Sequence, residues 1–240
     1  MSKILKYIFK GTIIAFSVLL THVTNGQSLV LPSAVRIGTD VIMVGESAIK
    51  NGRQKFEITG DLDIYKYFIT ADYGWSQRQI MNEGFDYTNS GNYGKIGIDY
   101  NFIFSDEDDH VIYYGLRYAR SYFTETIDYT IEDDYFGAFN LSEENPDGKA
   151  RWLEMNVGLK AKIWKQFYIG WTGRFKFAKK ATAGGDFSVY EIPGYGLAAN
   201  KSGWGFNYYI YYRFPFRKKP RILPKQIEEP IYNEDEEEQL

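Results

Sequence analysis

Cysteine is absent from the sequence, which removes disulfide staples, thiolate metal sites and cysteine nucleophiles in one step. Histidine is nearly absent: His22 lies in the N-terminal leader and His110 in the stretch DEDDHV. A hydrolase built on a Ser-His or Asp-His pair needs its base within hydrogen-bond reach of its partner, and neither histidine stands where a strand rim would present one. Long hydrophobic runs are missing too. Beyond the leader no apolar stretch approaches the ~20 residues of a membrane helix, and mean hydropathy is −0.39. Excess positive charge is also lacking: the formal net charge is −3 and the pI about 5.6, which argues against general nucleic-acid binding. The acidic stretches Ser105–His110 and Glu132–Asp134 lack the ligand spacing of an EF-hand and read as solvated loop charge. Gly184, Gly185 and Gly194 read as turn glycines without a phosphate-binding pattern around them. No cofactor or metal is expected.

Aromatic side chains are abundant, with 21 Tyr and 17 Phe, and they fall in alternating runs. The clearest anchor is Ser202–Phe216, SGWGFNYYIYYRFPF, where Trp204, Phe206, Tyr208, Ile210, Tyr212 and Phe214 occupy every second position. A period of two puts these on one face of a strand, and about 9–11 residues suffice for a tilted strand to cross a bilayer. Eight such segments are expected: Val35–Val44, Gln54–Asp63, Tyr67–Ser76, Tyr93–Phe102, Val111–Ser121, Trp152–Ile163, Phe167–Phe177 and Gly203–Phe214. Their connections alternate between short (Ile64–Lys66, Ile103–His110, Trp164–Gln166) and longer (Gly45–Arg53, Gln77–Asn92, Tyr122–Arg151, Ala178–Ser202). Short periplasmic turns alternating with longer outer loops are the pattern of a membrane barrel. The expected fold is therefore all-β: an eight-stranded antiparallel up-and-down transmembrane β-barrel in the bacterial outer membrane, with both termini periplasmic.

Two appendages flank it. Lys3, Lys6 and Lys10 precede the apolar segment Gly11–Leu20 and the polar THVTNGQS, the layout of a secretory signal peptide. Residues 1–26 are assigned to it, 27–216 to the barrel, and 217–240 to a disordered, charged periplasmic tail. That tail opens with Arg217, Lys218 and Lys219, carries Pro220, Pro224 and Pro230, and ends NEDEEEQL.

Alternation alone also fits a soluble, lipocalin-like barrel with an apolar interior. Three features favour the opposite polarity. Gly38, Gly74, Gly97, Gly115, Gly158, Gly170 and Gly205 share the polar face, where small residues make room in a narrow lumen. Aromatics of the apolar face gather at strand ends: Tyr100, Phe102, Phe167, Tyr212 and Phe214 at one, Trp75, Tyr118, Phe175 and Trp204 at the other. The polar face also carries both signs of charge, with Arg36, Lys95, Arg117, Lys160, Arg174 and Arg213 against Asp40, Glu57, Asp61, Asp72, Asp99 and Glu154. Inside a closed barrel these must pair, because unpaired buried charge is costly.

The strand pattern, the closing YYIYYRFPF and the charged tail resemble a family of short, uncharacterised outer-membrane barrels from Bacteroidota. The resemblance implies a fold and a compartment and supplies no catalytic residue. The function expected is a non-enzymatic scaffold or accessory subunit of an envelope complex for outer-membrane assembly or secretion. A small pore and a lipid-modifying enzyme are the alternatives. Expected partners are outer-membrane lipid and lipopolysaccharide, together with envelope proteins held by the tail or the long loops, among them the loop bearing Tyr129, Tyr135, Phe136 and Phe139.

Overall fold

A computed structural model describes residues 31–217, apart from 105, 107, 134, 136 and 186. The expected signal peptide and the tail beyond Arg217 lie outside the described residues. Eight strands close a ring: β1 (Ala34–Asp40), β2 (Arg53–Ile64), β3 (Tyr67–Asn82), β4 (Phe85–Asn101), β5 (Val111–Asp133), β6 (Gly137–Trp164), β7 (Phe167–Thr182) and β10 (Gly203–Pro215). Every neighbouring pair is antiparallel, and β10 closes on β1 from Ala34↔Pro215 to Asp40↔Tyr209. Two short strands, β8 (Glu191–Ile192) and β9 (Gly196–Leu197), form a separate hairpin in the last long loop.

One end of the ring has brief connections. Tyr65–Lys66 and Lys165–Gln166 are two-residue turns whose first residues hold positive φ, 58° at Tyr65 and 48° at Lys165, as tight hairpins between right-twisted strands require. Residues 102–110 make the third connection at this end.

The opposite end departs from the expected loops in four ways, the fourth being that β7 runs on to Thr182 and the expected Ala178–Ser202 loop holds the β8–β9 hairpin. The first strand stops at Asp40 rather than Val44, and α1 (Val41–Ile49) follows. Asp40 ends the strand because its Oδ1 accepts from the backbone N–H of Ile42 (2.9 Å) and Met43 (3.2 Å), capping the helix. With β1 so short, the upper parts of β2 and β10 lack a strand between them, and α1 stands in the gap. Ser47 Oγ takes the place of a strand partner, accepting from Lys55 N–H (2.7 Å) and donating to Lys55 C=O (2.9 Å). On the exposed side of the helix, the Lys50 ammonium bonded to Glu46 holds that carboxyl below its usual range.

The second and third departures are Gln77–Asn92 and Tyr122–Arg151, which were expected as loops. Both are continuous hairpins: β3 and β4 pair up to Asn82↔Phe85, and β5 and β6 up to Asp133↔Gly137. These extensions are rich in Gln, Asn, Ser, Thr and acids on the outward face, so the ladder continues where apolar alternation has ended. Gly84 (φ +92°) and Gly137 (φ +82°) adopt the backbone conformation that closes each tip.

Burial follows the two-residue period. Along β6 every second residue from Trp152 to Lys160 is buried, while Leu153, Met155, Val157 and Leu159 face out. The core is thus the lumen, and the outer wall is apolar: Leu116 is 54% exposed, Ile96 60% and Trp204 72%. Six of the seven glycines expected on the lumenal face make space there, a Cβ on each coming within 3.0 Å of a neighbour, whereas at Gly205 the nearest atom would be 3.4 Å away. A Cβ at Gly38 would lie 2.4 Å from the Tyr211 ring, and one at Gly170 would lie 2.7 Å from it, so this ring rests on two glycines.

Candidate functional site: the filled lumen and its capped mouth

All twelve lumenal charges expected from the sequence are buried, and they join in connected sets. Nearest the short-turn end, Arg36 Nε donates to Asp61 (2.8 Å) and its Nη2 lies 3.7 Å from Asp63. Lys160 Nζ donates to the other Asp61 oxygen at 2.6 Å. Rings enclose this group: the Arg36 guanidinium lies 4.4 Å from the Phe68 ring centre, and Lys160 Nζ about 5 Å from Phe68, Tyr113 and Tyr211. Arg213 reaches Asp109 of the 102–110 turn at 3.6 Å.

Above this layer Arg117 bridges Asp72 (2.5 Å) and Asp99 (3.1 Å). The centre is Glu57. It accepts from Arg174 Nη2 (2.8 Å) and Nη1 (3.2 Å), Lys95 Nζ (3.2 Å), Tyr93 Oη (2.8 Å) and Tyr209 Oη. Lys95 also reaches Glu154 (3.4 Å), whose carboxylate takes a bond from Trp152 Nε1 (2.8 Å). Asp40, besides capping α1, accepts from Asn207.

A second assembly, not anticipated from the sequence, closes the mouth. Buried Glu125 Oε1 accepts from Tyr87 Oη (2.6 Å), Asn89 Nδ2 (3.2 Å) and the backbone N–H groups of Tyr190 (3.1 Å) and Glu191 (3.0 Å). Its Oε2 accepts from Asn145 at 3.3 Å. Burial, together with the bond to Glu125, pushes the Tyr87 phenol above its ordinary value. Glu191 pairs with Arg78 and, at 3.9 Å, with Arg53. The 183–202 loop is thereby pinned across the opening, with Ile192 and Tyr195 packed on Tyr93, Phe123 and Trp152. Lys176 Nζ donates to the carbonyls of Gly194 (2.8 Å) and Tyr195 (3.1 Å) from below. A polar cavity of about 320 Å³ remains between α1 and this cap. Glu125 was legible in principle: it continues the inward phase of Ala119, Ser121 and Phe123, past the point where the outer face stops being apolar.

The expected aromatic belt lies wholly on the outer wall, in two bands. At the short-turn end Tyr100 meets Phe102, and Tyr212 meets both Phe167 and Phe214, with ring centres 4.7–5.3 Å apart. At the other, Phe175 and Trp204 are in contact at 4.9 Å, with Trp75 and Tyr118 on the same band. Among the described residues no His, Cys, Asp and Glu group has a metal-holding arrangement. His110 lies in the 102–110 turn, accepting at Nδ1 from Lys162 N–H (3.2 Å).

Residues 5–219 match the family described as Domain of unknown function (DUF6048), and the chain belongs to that family. No curated protein matches it in sequence. Three solved structures are similar to it at low identity. The attachment invasion locus protein Ail of Yersinia pestis is 11% identical with a TM-score of 0.39, covering 76% of this chain and 98% of that one. The N-terminal β-barrel domain of Pseudomonas aeruginosa OprF is 14% identical with a TM-score of 0.32, covering 77% and 100%. Acinetobacter baumannii CarO2 is 10% identical with a TM-score of 0.39, covering 79% and 100%.

Proposed function

We propose that this member of the DUF6048 family is a non-conducting outer-membrane barrel serving as a scaffold or accessory subunit of an envelope complex. The observation that carries the reading is the filled lumen. Eight strands leave an interior just wide enough for side chains to fill, and here arginines, lysines and carboxylates bond across it at several levels, with a pinned loop above. A solute would have to break buried ion pairs, which is costly because each leaves a charge without its partner. The apolar outer wall between two aromatic bands supports placement in a bilayer.

In this reading the short turns face the periplasm and the capped mouth with its long hairpins faces outward. The charged tail after Phe216 is a docking arm, its acidic end suited to a basic periplasmic partner. Planar-bilayer recording of the pure protein should give no steady conductance; a stable open level would overturn the non-conducting assignment. Affinity isolation in mild detergent should recover envelope partners that are lost on truncation after Phe216. Recovery of the barrel alone, under conditions that preserve other envelope complexes, would count against a scaffold. Lipid analysis of a deletion strain tests the enzymatic alternative, which a specific loss of one acyl modification would favour.

A further inference from the structure

The outer wall carries a row of cations that the lumenal network does not explain. On adjacent strands Arg120 of β5 lies directly opposite Arg151 of β6, and Arg151 directly opposite Lys180 of β7. All three are exposed, and among the described residues none forms an ion pair. Like charges directly opposite one another destabilise a sheet, so a triple row raises the energy of the barrel unless an anion lies across it.

The position of the row is specific. The preceding outward row is Tyr118, Leu153 and Phe177, which belongs to the upper aromatic band. The cations therefore stand one step beyond the apolar wall. Lys149 follows one row further on, facing Tyr122, whose ring centre lies 4.9 Å from the Arg120 guanidinium. Tyr118, Arg120, Lys149, Arg151 and Lys180 line a shallow groove of about 300 Å³.

Local backbone geometry contributes to the arrangement. Between Arg151↔Lys180 and Leu153↔Phe177 the register slips, so that Ala178 and Lys179 face Trp152 alone, and Ala178 takes a φ of +52°. Such a bulge re-aims side chains. Lys179 turns to the cap, donating to the carbonyls of Ala198 and Asn200, while Lys180 points out beside Arg151.

We propose that Arg120, Arg151 and Lys180 form a binding site for the phosphate groups of a lipid headgroup in the outer leaflet, of the lipid A type. The inference rests on the outer-membrane reading above and adds to it the residues and the ligand class. A guanidinium presents a planar fork of donors suited to phosphate. Aromatic side chains below the row would meet the acyl chains of the same lipid while the cations meet its phosphates.

The test uses the full-length mature protein, refolded in detergent, with heat-modifiable gel mobility as the check of folding. Native mass spectrometry would compare retention of bisphosphorylated lipid A with its dephosphorylated counterpart, with inorganic phosphate as competitor. Wild type should retain the phosphorylated lipid selectively. Replacing all three cations by glutamine should weaken retention roughly fivefold per cation, on the order of a hundredfold in all, whereas Lys50→Gln and Lys201→Gln should leave it unchanged. Lipid-free stability gives a second readout with the opposite sign: the triple variant should unfold at higher temperature than wild type, and lipid A should reverse that order. Equal retention by the triple variant, or of the dephosphorylated lipid, would overturn the site. Displacement by inorganic phosphate at comparable concentration would overturn the lipid source. A protein that fails to fold in detergent would instead overturn the membrane reading on which the inference rests.

Discussion

Replacing Glu57 by glutamine would test the filled lumen most directly. Glu57 is fully buried and accepts from Arg174, Lys95, Tyr93 and Tyr209. Glutamine keeps the shape and removes the charge that faces two cations. Breaking a buried ion pair by deleting one partner costs about 3–5 kcal/mol. Some compensation remains, because Arg174 also lies 3.6 Å from Asp72 and 4.0 Å from Glu154, and Lys95 lies 3.4 Å from Glu154. These contacts place the expected loss near the lower end, about 3 kcal/mol. Urea unfolding of the refolded protein in detergent, followed by tryptophan fluorescence, would read it as a lowered midpoint at constant slope. Adding Arg174→Met should recover part of the loss, since the double change removes one charge of each sign. A Glu57→Gln protein that folds and loses less than about 1 kcal/mol would mean that water already screens this centre. The non-conducting assignment would fall with it.

Outward Leu116 lies in register with Ile98 and Met155, so Leu116→Arg should cost about 2–4 kcal/mol in a bilayer; a neutral result in an intact fold would favour a soluble barrel. Gly38→Ala should cost about 1–3 kcal/mol by driving a methyl into the Tyr211 ring and to 2.8 Å from the Ile210 carbonyl oxygen, and adding Tyr211→Leu should relieve only the part due to the ring; the same urea midpoints report both. Glu125→Ala removes the acceptor for two backbone N–H groups of the cap. It should leave the barrel folded while trypsin cleavage at Lys201 accelerates, through local opening rather than global unfolding. An unchanged cleavage rate would show that apolar packing of Ile192 and Tyr195 alone holds the loop.

What could be read from the sequence follows from where water ends. Between the two aromatic bands the outer face must be apolar and the inner face must pair its charges, so β6 announces itself through Leu153, Met155, Val157 and Leu159 against Glu154, Asn156 and Lys160. Beyond the bands both faces of a strand can be polar, and the period-two signal vanishes although the ladder persists; the β3–β4 and β5–β6 extensions were therefore expected as loops. The end of β1 was hidden for another reason. Val41, Ile42 and Val44 suit a strand by propensity, but the Asp40 carboxylate caps a helix and α1 fills the space left by the missing strand. Pairing partners were not legible either. Alternation identifies Glu57 as inward, but its bonds to Lys95 and Arg174 depend on barrel closure.

The same geometry narrows where activity can reside. A lumenal charge already committed to two or three partners is held by them, and removing Glu57 or Asp61 would strand buried cations. The lumen is thus occupied with holding the barrel together. Charges without an ion-pair partner lie outside it, and the outward cations are the clearest case. Arg120, Arg151 and Lys180 face one another without a carboxylate among them, in the zone where a bilayer's own phosphates would lie. Lumenal charge in this barrel is paired by its own chain, whereas the outward cations, on the reading proposed above, would take their partner from a lipid phosphate. On the proposed reading, the outer wall and the two ends of the barrel, rather than its interior, are the surfaces on which its role would be exercised.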